Sequence, residues 1–346
     1  MNDVSNTIRN SIYQFKKTRD GVYLWKPSPY LLITRWIFLD SSSDGNTAIF
    51  TRTTSGAPQR GPHISIDGGL TWAQRINGMT FNVDSYTIDT AIASGNSDIM
   101  YAANRGVGSN EPLWRSIDRG LNWSSSISPT NARWQAIDCS SDGQVIVATN
   151  IGSVNATFHQ RIVYSTNGGS SWNAVPDYTD QWGPNGVAVS ASGSSMFVIV
   201  VGSTAAPIRR SINTGSTWSE VTGSFRFYSI ACSDDGQTVI AGRGVGSGTT
   251  YPYLSTDGGD TWIDVTGVPA LQYWTDCSIS GDGNTIVVSP GSLLSGIIYI
   301  SKDRGVTWRE QVEAGNRGWQ SSTVNQNGTK VLAGGTSSQI WIGTPL

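Results

Sequence analysis

The chain has 346 residues, a formal net charge of −2 and only 14% charged side chains. That balance offers no basic surface for nucleic acid or an anionic membrane, and no apolar run approaches the ~18 residues of a spanning helix. Cys139, Cys232 and Cys277 form no CxxC pair, and His63 and His159 stand alone, so no disulfide framework, metal cluster or cofactor is expected.

Residues 1–17 show no continuous apolar h-region, so synthesis in a cytosol without a signal peptide is expected. Display on a virion or another outside surface stays open. Ile8, Ile12 and Phe15 would share one face of a short helix, with Lys16 and Lys17 behind it. This stretch reads as an N-terminal arm: a tether to a partner, or a flexible terminus.

From residue 18 the chain is organised by two interleaved phrases. The first is eight residues long, as in Ser255-Thr-Asp257-Gly-Gly259-Asp-Thr261-Trp262. Its third position is Asp67, Asp118, Asn167, Asn213, Asp257 and Asp303 in six copies, and Asp20 in a worn seventh. The closing tryptophans are Trp72, Trp123, Trp172, Trp218, Trp262 and Trp308, in steps of 44 to 51 residues. Such a period belongs to a repeat architecture. Chemically the phrase is a hairpin turn. The Asp or Asn caps backbone N–H groups, Gly at the fifth position supplies positive φ, and the Trp starts the return strand. These acids are structural.

The second phrase, Ser-x-Asp/Asn-Gly, lies between two short apolar strands. It occurs at Ser42–Gly45, Ser140–Gly143, Ser233–Gly236 and Ser280–Gly283, with variants at Ser94, Ser190 and Asn325. One repeat therefore reads strand A, Asx–Gly turn, strand B, loop, strand C, eight-residue turn, strand D. Four antiparallel strands make one propeller blade. The seventh repeat ends after its third strand, near Gln339–Ile342. Trp25 precedes Trp36 by the same interval that separates Trp123 from Trp134. Residues 18–27 are thus expected to complete blade 7. The fold is all-β: a seven-bladed β-propeller over residues 18–346, closed 3+1 by its N-terminal strand.

The eight-residue phrase resembles the Asp-box of bacterial-neuraminidase-type propellers, and the match runs through nearly the whole chain. The resemblance implies the propeller but no single activity. A sialidase would bring an arginine triad, a Tyr–Glu nucleophile pair, an acid/base Asp and an Arg-Ile-Pro motif, and that motif is absent here. The four glutamates, Glu111, Glu220, Glu310 and Glu313, and the loop acids Asp84 and Asp180 form no marked pair. A photosystem-assembly role, known for some relatives of that superfamily, goes with export behind a leader and is not expected.

Binding is expected on the face carrying the B–C and D–A loops, opposite the eight-residue turns. Seven aromatics open the A strands: Trp36, Tyr86, Trp134, Trp182, Tyr228 (or Phe227), Trp274 and Trp319. Beside them or after the B strands lie Arg35, Arg52, Arg105, Arg133, Arg243 and Arg317, with Arg226 before Phe227. Rings beside arginine suit a glycan or a protein surface. Their regularity equally suits wedges packed between blades, with arginines stacked on them. The expected function is a non-catalytic binding or assembly propeller, as on a virion or appendage surface, with a sialidase-like glycoside hydrolase as the alternative.

Overall fold

A computed structural model of the chain describes residues 21–29, 37–52, 61–82, 85–106, 110–125, 129, 131–151, 161–175, 186–200, 207–222, 225–244, 248–271, 273–291, 295–335 and 339–346. The arm and Asp20 lie outside them. The chain forms seven antiparallel sheets. Strand β1 (Tyr23–Pro27) comes first and is set aside for the end of the ring. Blade 1 is β2 (Ile37–Ser41), β3 (Ala48–Arg52), β4 (His63–Ser65) and β5 (Ala73–Gln74). Blade 2 is β6 (Ser85–Ile92), β7 (Met100–Gly106) and β8 (Leu113–Ser116). Blade 3 is β9 (Trp134–Cys139), β10 (Ile146–Asn150), β11 (Ile162–Ser165) and β12 (Asn173–Ala174). Blade 4 is β13 (Gly186–Val189), β14 (Met196–Ile199), β15 (Ile208–Ser211) and β16 (Ser219–Glu220). Blade 5 is β17 (Arg226–Cys232), β18 (Val239–Gly244), β19 (Tyr253–Ser255) and β20 (Ile263–Asp264). Blade 6 is β21 (Trp274–Ile279), β22 (Ile286–Pro290), β23 (Tyr299–Ser301) and β24 (Arg309–Glu310). Blade 7 is β25 (Trp319–Val324), β26 (Val331–Gly335), β27 (Trp341–Pro345) and, antiparallel to β27, β1. The last C-type strand thus starts two residues later than the apolar run suggests.

The eight-residue turns follow one hydrogen-bond plan. Ser65 Oγ donates to Asp67 Oδ1 and accepts from Gly69 N, while Asp67 accepts from Thr71 N and Thr71 Oγ1. The Ser255–Thr261 and Ser301–Thr307 turns repeat it. Each turn also reaches inward. The N–H of its fourth residue donates to the A–B turn of the same blade: Gly68 to Asn46 O, Arg119 to Asp98 O, Gly168 to Gln144 O, Thr214 to Ser194 O, Gly258 to Gln237 O and Arg304 to Asn284 O. That bond holds the fourth residue at positive φ whatever its side chain, so Arg119, Thr214 and Arg304 sit there at 54–59°. Blade 2 departs from the plan. Trp123 Nε1 donates to Arg75 O of blade 1 rather than to its own turn, and strand D shrinks to a single bridge, Arg115 to Ser124.

Closure of blade 7 relies on Gln311 from blade 6, itself 2% exposed. Its Oε1 accepts from Tyr23 N and Trp25 Nε1, and its Nε2 donates to Gly21 O and Arg309 O. Tyr23 is fully buried and its hydroxyl donates to Gly328 O.

Two predictions follow from this local chemistry. Gln311→Ala strips buried donors and acceptors of their partners, at about 1–3 kcal/mol for each group left unmet. Denaturant unfolding should show that loss, with proteolysis appearing near residues 21–29; an unchanged midpoint would remove the clasp from the account. Thr214→Gly relieves a β-branched residue at φ 54° and should stabilise by about 1 kcal/mol after backbone entropy is counted. Gly215→Ala, one residue on, would drive a Cβ to 2.3 Å from the Tyr164 ring. The two neighbours should move the thermal midpoint in opposite directions.

Candidate functional site

The seven A strands surround an axial channel of about 300 Å³. Its loop-face end is lined by Gln135, Tyr228, Thr275 and Gln320, and its turn-face end by Ser43, Ser94, Gly281 and Gln326. What faces the channel is decided by a bulge repeated near the top of five A strands. The register slips between Thr87 and Asp89, between Phe227 and Ser229, between Trp274 and Asp276 and between Trp319 and Ser321, and β9 skips Gln135 against Thr149 and Asn150. A bulge inserts one residue and re-aims the next side chain. The inserted residues are Ile88, Gln135, Tyr228, Thr275 and Gln320; the last four line the mouth, while Ile88 is buried in the blade 2–3 core.

The aromatic immediately before the bulge is turned between blades. Trp134, Trp274 and Trp319 are 0% exposed. Trp134 packs with Tyr101 and Leu113 of blade 2 and Ile137 and Ile146 of blade 3. Trp274 and Trp319 do the same between blades 5 and 6 and blades 6 and 7. The indoles of Trp134 and Trp274 donate to Glu111 O and Thr250 O. In blade 5 the wedge is Phe227, buried against Phe197 and Ile208. Tyr228 is then left at the mouth, edge-on to Tyr273 at 5.7 Å. Tyr86 packs partly against the blade 2–3 core.

The arginines separate into two groups. Arg243 lies between the Phe225 and Tyr253 rings, 4.4 and 4.6 Å from their centroids, and pairs with Asp264 at 2.8 Å. Arg317 stacks on Trp341 at 4.2 Å and donates to Ala314 O. Both are engaged inside blades. Arg105, by contrast, donates to Gln135 Oε1 at the mouth. Burial depresses its pKa, Tyr86 acts the other way, and the neighbouring Arg133 guanidinium depresses it further. Arg133 Nε is buried without a hydrogen-bond partner. Across the mouth, burial raises the Tyr228 pKa, opposed by Arg226. Among the described residues, no carboxylate lies within ion-pair distance of Arg105, Arg133 or Arg226. Arg35, Trp36 and Trp182 lie outside the described residues, and so does the Arg52 side chain.

Below the mouth stand four carboxyls that sequence reasoning missed: Asp40, Asp89, Asp138 and Asp276. Each reaches from its A strand to a backbone N–H of the next blade. Asp40 accepts from Ile92, Asp89 from Ile137, Asp138 from Val189, and Asp276 from Ser322 N and Oγ. A signal was present, since Asp40, Asp89 and Asp138 sit in apolar strands at one fixed interval. Burial raises the carboxyl pKa of Asp40 to about 6 and of Asp89 and Asp276 to about 7, and Asp138 moves the same way. The free thiols of Cys139 and Cys277 are buried on the same strands, and that of Cys232, on β17, is partly buried.

The two sets of aspartates titrate in opposite senses. The channel carboxyls have folded pKa values above the unfolded value, so their contribution is full below about pH 4 and lost as pH rises through about 6–7. The turn aspartates are shifted down; Asp257, bonded by Thr261, falls to about 2. Their contribution is present above about pH 4 and lost as pH falls toward 2. In sodium salts with a chelator, thermal stability should peak between about pH 4 and 6 and decline toward 8. A midpoint climbing steadily to pH 8 would contradict the burial of these carboxyls.

No protein-family model and no curated protein matches this sequence. Solved structures do match in fold. YCF48 from Cyanidioschyzon merolae superposes with a TM-score of 0.64 at 16% identity, covering 92% of this chain and 98% of that one. YCF48 bound to D1 peptide gives 0.60 at 15% identity, covering 94% and 95%. An ancestral GH74 enzyme gives 0.56 at 18% identity over 75% of this chain; the match spans only 35% of that enzyme's length. At these identities the likeness is one of fold: this chain is a seven-bladed β-propeller structurally related to other propeller proteins.

Proposed function

We propose that the chain is a non-catalytic recognition propeller whose loop-face mouth takes an acidic segment of a protein partner. The observation that carries this reading is the side-by-side placement of Arg105 and Arg133, with Arg226 across the mouth, away from any described carboxylate. Two guanidiniums held side by side gain from an incoming carboxylate, which each can bind through paired N–H donors. The Tyr228–Tyr273 pair adds an apolar flank that a peptide can lie against. The fold likeness to YCF48 bound to D1 peptide is in keeping with a peptide ligand at such a face.

The described carboxylates weigh against glycoside hydrolysis; Asp84 and Asp180 lie outside the described residues. That chemistry uses two carboxyl groups facing the same bond across an accessible cleft. Here Glu111 is buried and accepts from Asn82, Glu220 and Glu310 lie on outermost strands, and the channel aspartates are tied to backbone N–H groups. We read the chain, from its repeated turns, as an Asp-box propeller that serves as a component of a larger assembly such as a virion or appendage surface. Residues 1–17 would be its tether.

The test is binding of the full-length chain to arrayed acidic, neutral and basic peptides, with a glycan array beside it. Acidic peptides should bind, more weakly as salt rises, with at least about a tenfold loss in Arg105→Ala and Arg133→Ala. Peptide binding indifferent to charge would defeat the reading. Glycan binding lost in the same two variants would move the site to a lectin.

A further inference from the structure

The channel below the mouth carries a different chemistry from its rim. Asp40, Asp89, Asp138 and Asp276 face it, and among its described lining residues there is no lysine, arginine or histidine. The hydrogen bonds on these carboxyls come from donors on every side. Asp40 accepts from Ser41 N at one oxygen and Ile92 N at the other; Asp89 accepts likewise from Thr90 and Ile137, and Asp138 from Cys139 and Val189. Each of these N–H bonds favours the ionised form and opposes the burial that raises the carboxyl.

That charge is not needed to join the blades. Between blades 7 and 1, the hydroxyl of Ser321 performs the same service, accepting from Leu39 N at 3.1 Å. A neutral acceptor suffices there without the cost of burying charge. Thr90, beside Asp89 and only 5% exposed, lines the same channel with its Oγ1 unpartnered. The hydroxyls of Thr275 and Ser278 add two more unpartnered oxygens. A buried oxygen of this kind calls for a water or an ion held by waters. At roughly 30 Å³ for each water, a channel of about 300 Å³ has room for about ten.

We propose that the axial channel binds a hydrated divalent cation, held through its water shell by Asp40, Asp89, Asp138 and Asp276. Among the described residues no three acidic, thiol or imidazole groups converge closely enough to ligate an ion directly. An ion that keeps its waters, as Mg²⁺ prefers, fits that spacing. Entry is from the turn face, where Asp234 stands at the channel end and the arginines do not. The inference does not depend on what binds at the loop face.

The test uses chelator-treated full-length protein at about pH 7.5, above the values of about 6 to 7 to which burial raises Asp40, Asp89 and Asp276. Mg²⁺ and Ca²⁺ are titrated against NaCl and KCl at matched ionic strength, and followed by thermal unfolding and calorimetry. The expected result is a saturable rise in midpoint with about one divalent ion bound per chain. Asp89→Asn and Asp276→Asn should weaken binding about 10–100-fold. Asp98→Asn, which removes only an exposed pair with Arg119, should leave binding unchanged. An equal response to monovalent salt, or full affinity in both channel variants, overturns the proposal. Should those variants fail to fold, elemental analysis of the wild-type chain after gel filtration decides. A stoichiometric divalent ion supports the site, and none after millimolar exposure removes it.

Discussion

The structure depends on a closed circuit of backbone hydrogen bonds around the turn-face end of the axis. Ser43 N donates to Ser94 O, Gly95 N to Ser141 O, Ser141 N to Ala191 O and Ala191 N to Asp234 O. Asp234 N then donates to Gly281 O, Gly281 N to Gln326 O, and Gln326 N back to Ser43 O. Seven bonds of 2.9–3.2 Å thus join each A–B turn to the next and return to the first. The circuit requires seven turns at one height; six close across five residues with a glycine at positive φ, and the blade 2 turn, one residue longer, still reaches its neighbours. It also requires that blade 7 be held where its turn can reach blade 1, and the Gln311 clasp on β1 supplies that. A ring closed in this way leaves no blade face without a neighbour.

With the inner end held by the backbone, side chains are left to fill the wedges and line the axis. Strand alternation alone would send residues one and three after each D–A loop to the same side. The bulge interrupts that alternation by one residue. In blades 3, 5, 6 and 7 the aromatic before it is driven between blades and the inserted residue is delivered to the mouth, whereas in blade 2 the inserted Ile88 is buried in the core; in blades 2 and 6 the next residue is Asp89 or Asp276. One backbone irregularity therefore divides packing from recognition. Blade 5 shows the division most plainly, because Phe227 and Tyr228 are adjacent aromatics with opposite fates.

Much of this was legible in the sequence and some was not. The turn phrases carry their own chemistry within eight residues, so they reveal the blades, their order and the strand borrowed from the N-terminus. The distinction between wedge and site was hidden, because it turns on a bulge that leaves no residue-type signature: Gln135, Tyr228, Thr275 and Ile88 share no chemistry. The arginines were ambiguous for a related reason. Arg105 and Arg243 begin matching Arg-Gly-Val-Gly-Ser segments, yet Phe225 and Asp264 capture one guanidinium while Gln135 meets the other. Which arginine stays available depends on neighbours far away in sequence. The axial aspartates were visible but masked by their surroundings, since acids in apolar strands of a repeat look like turn chemistry out of place.

The two ends of the A strands are electrostatically opposed. Arginines gather at the loop-face mouth, and carboxyls occupy the strand edges below it. An acidic segment bound at the rim, as proposed, would be repelled from going deeper, and a cation in the channel, as proposed, would be repelled from leaving through the rim.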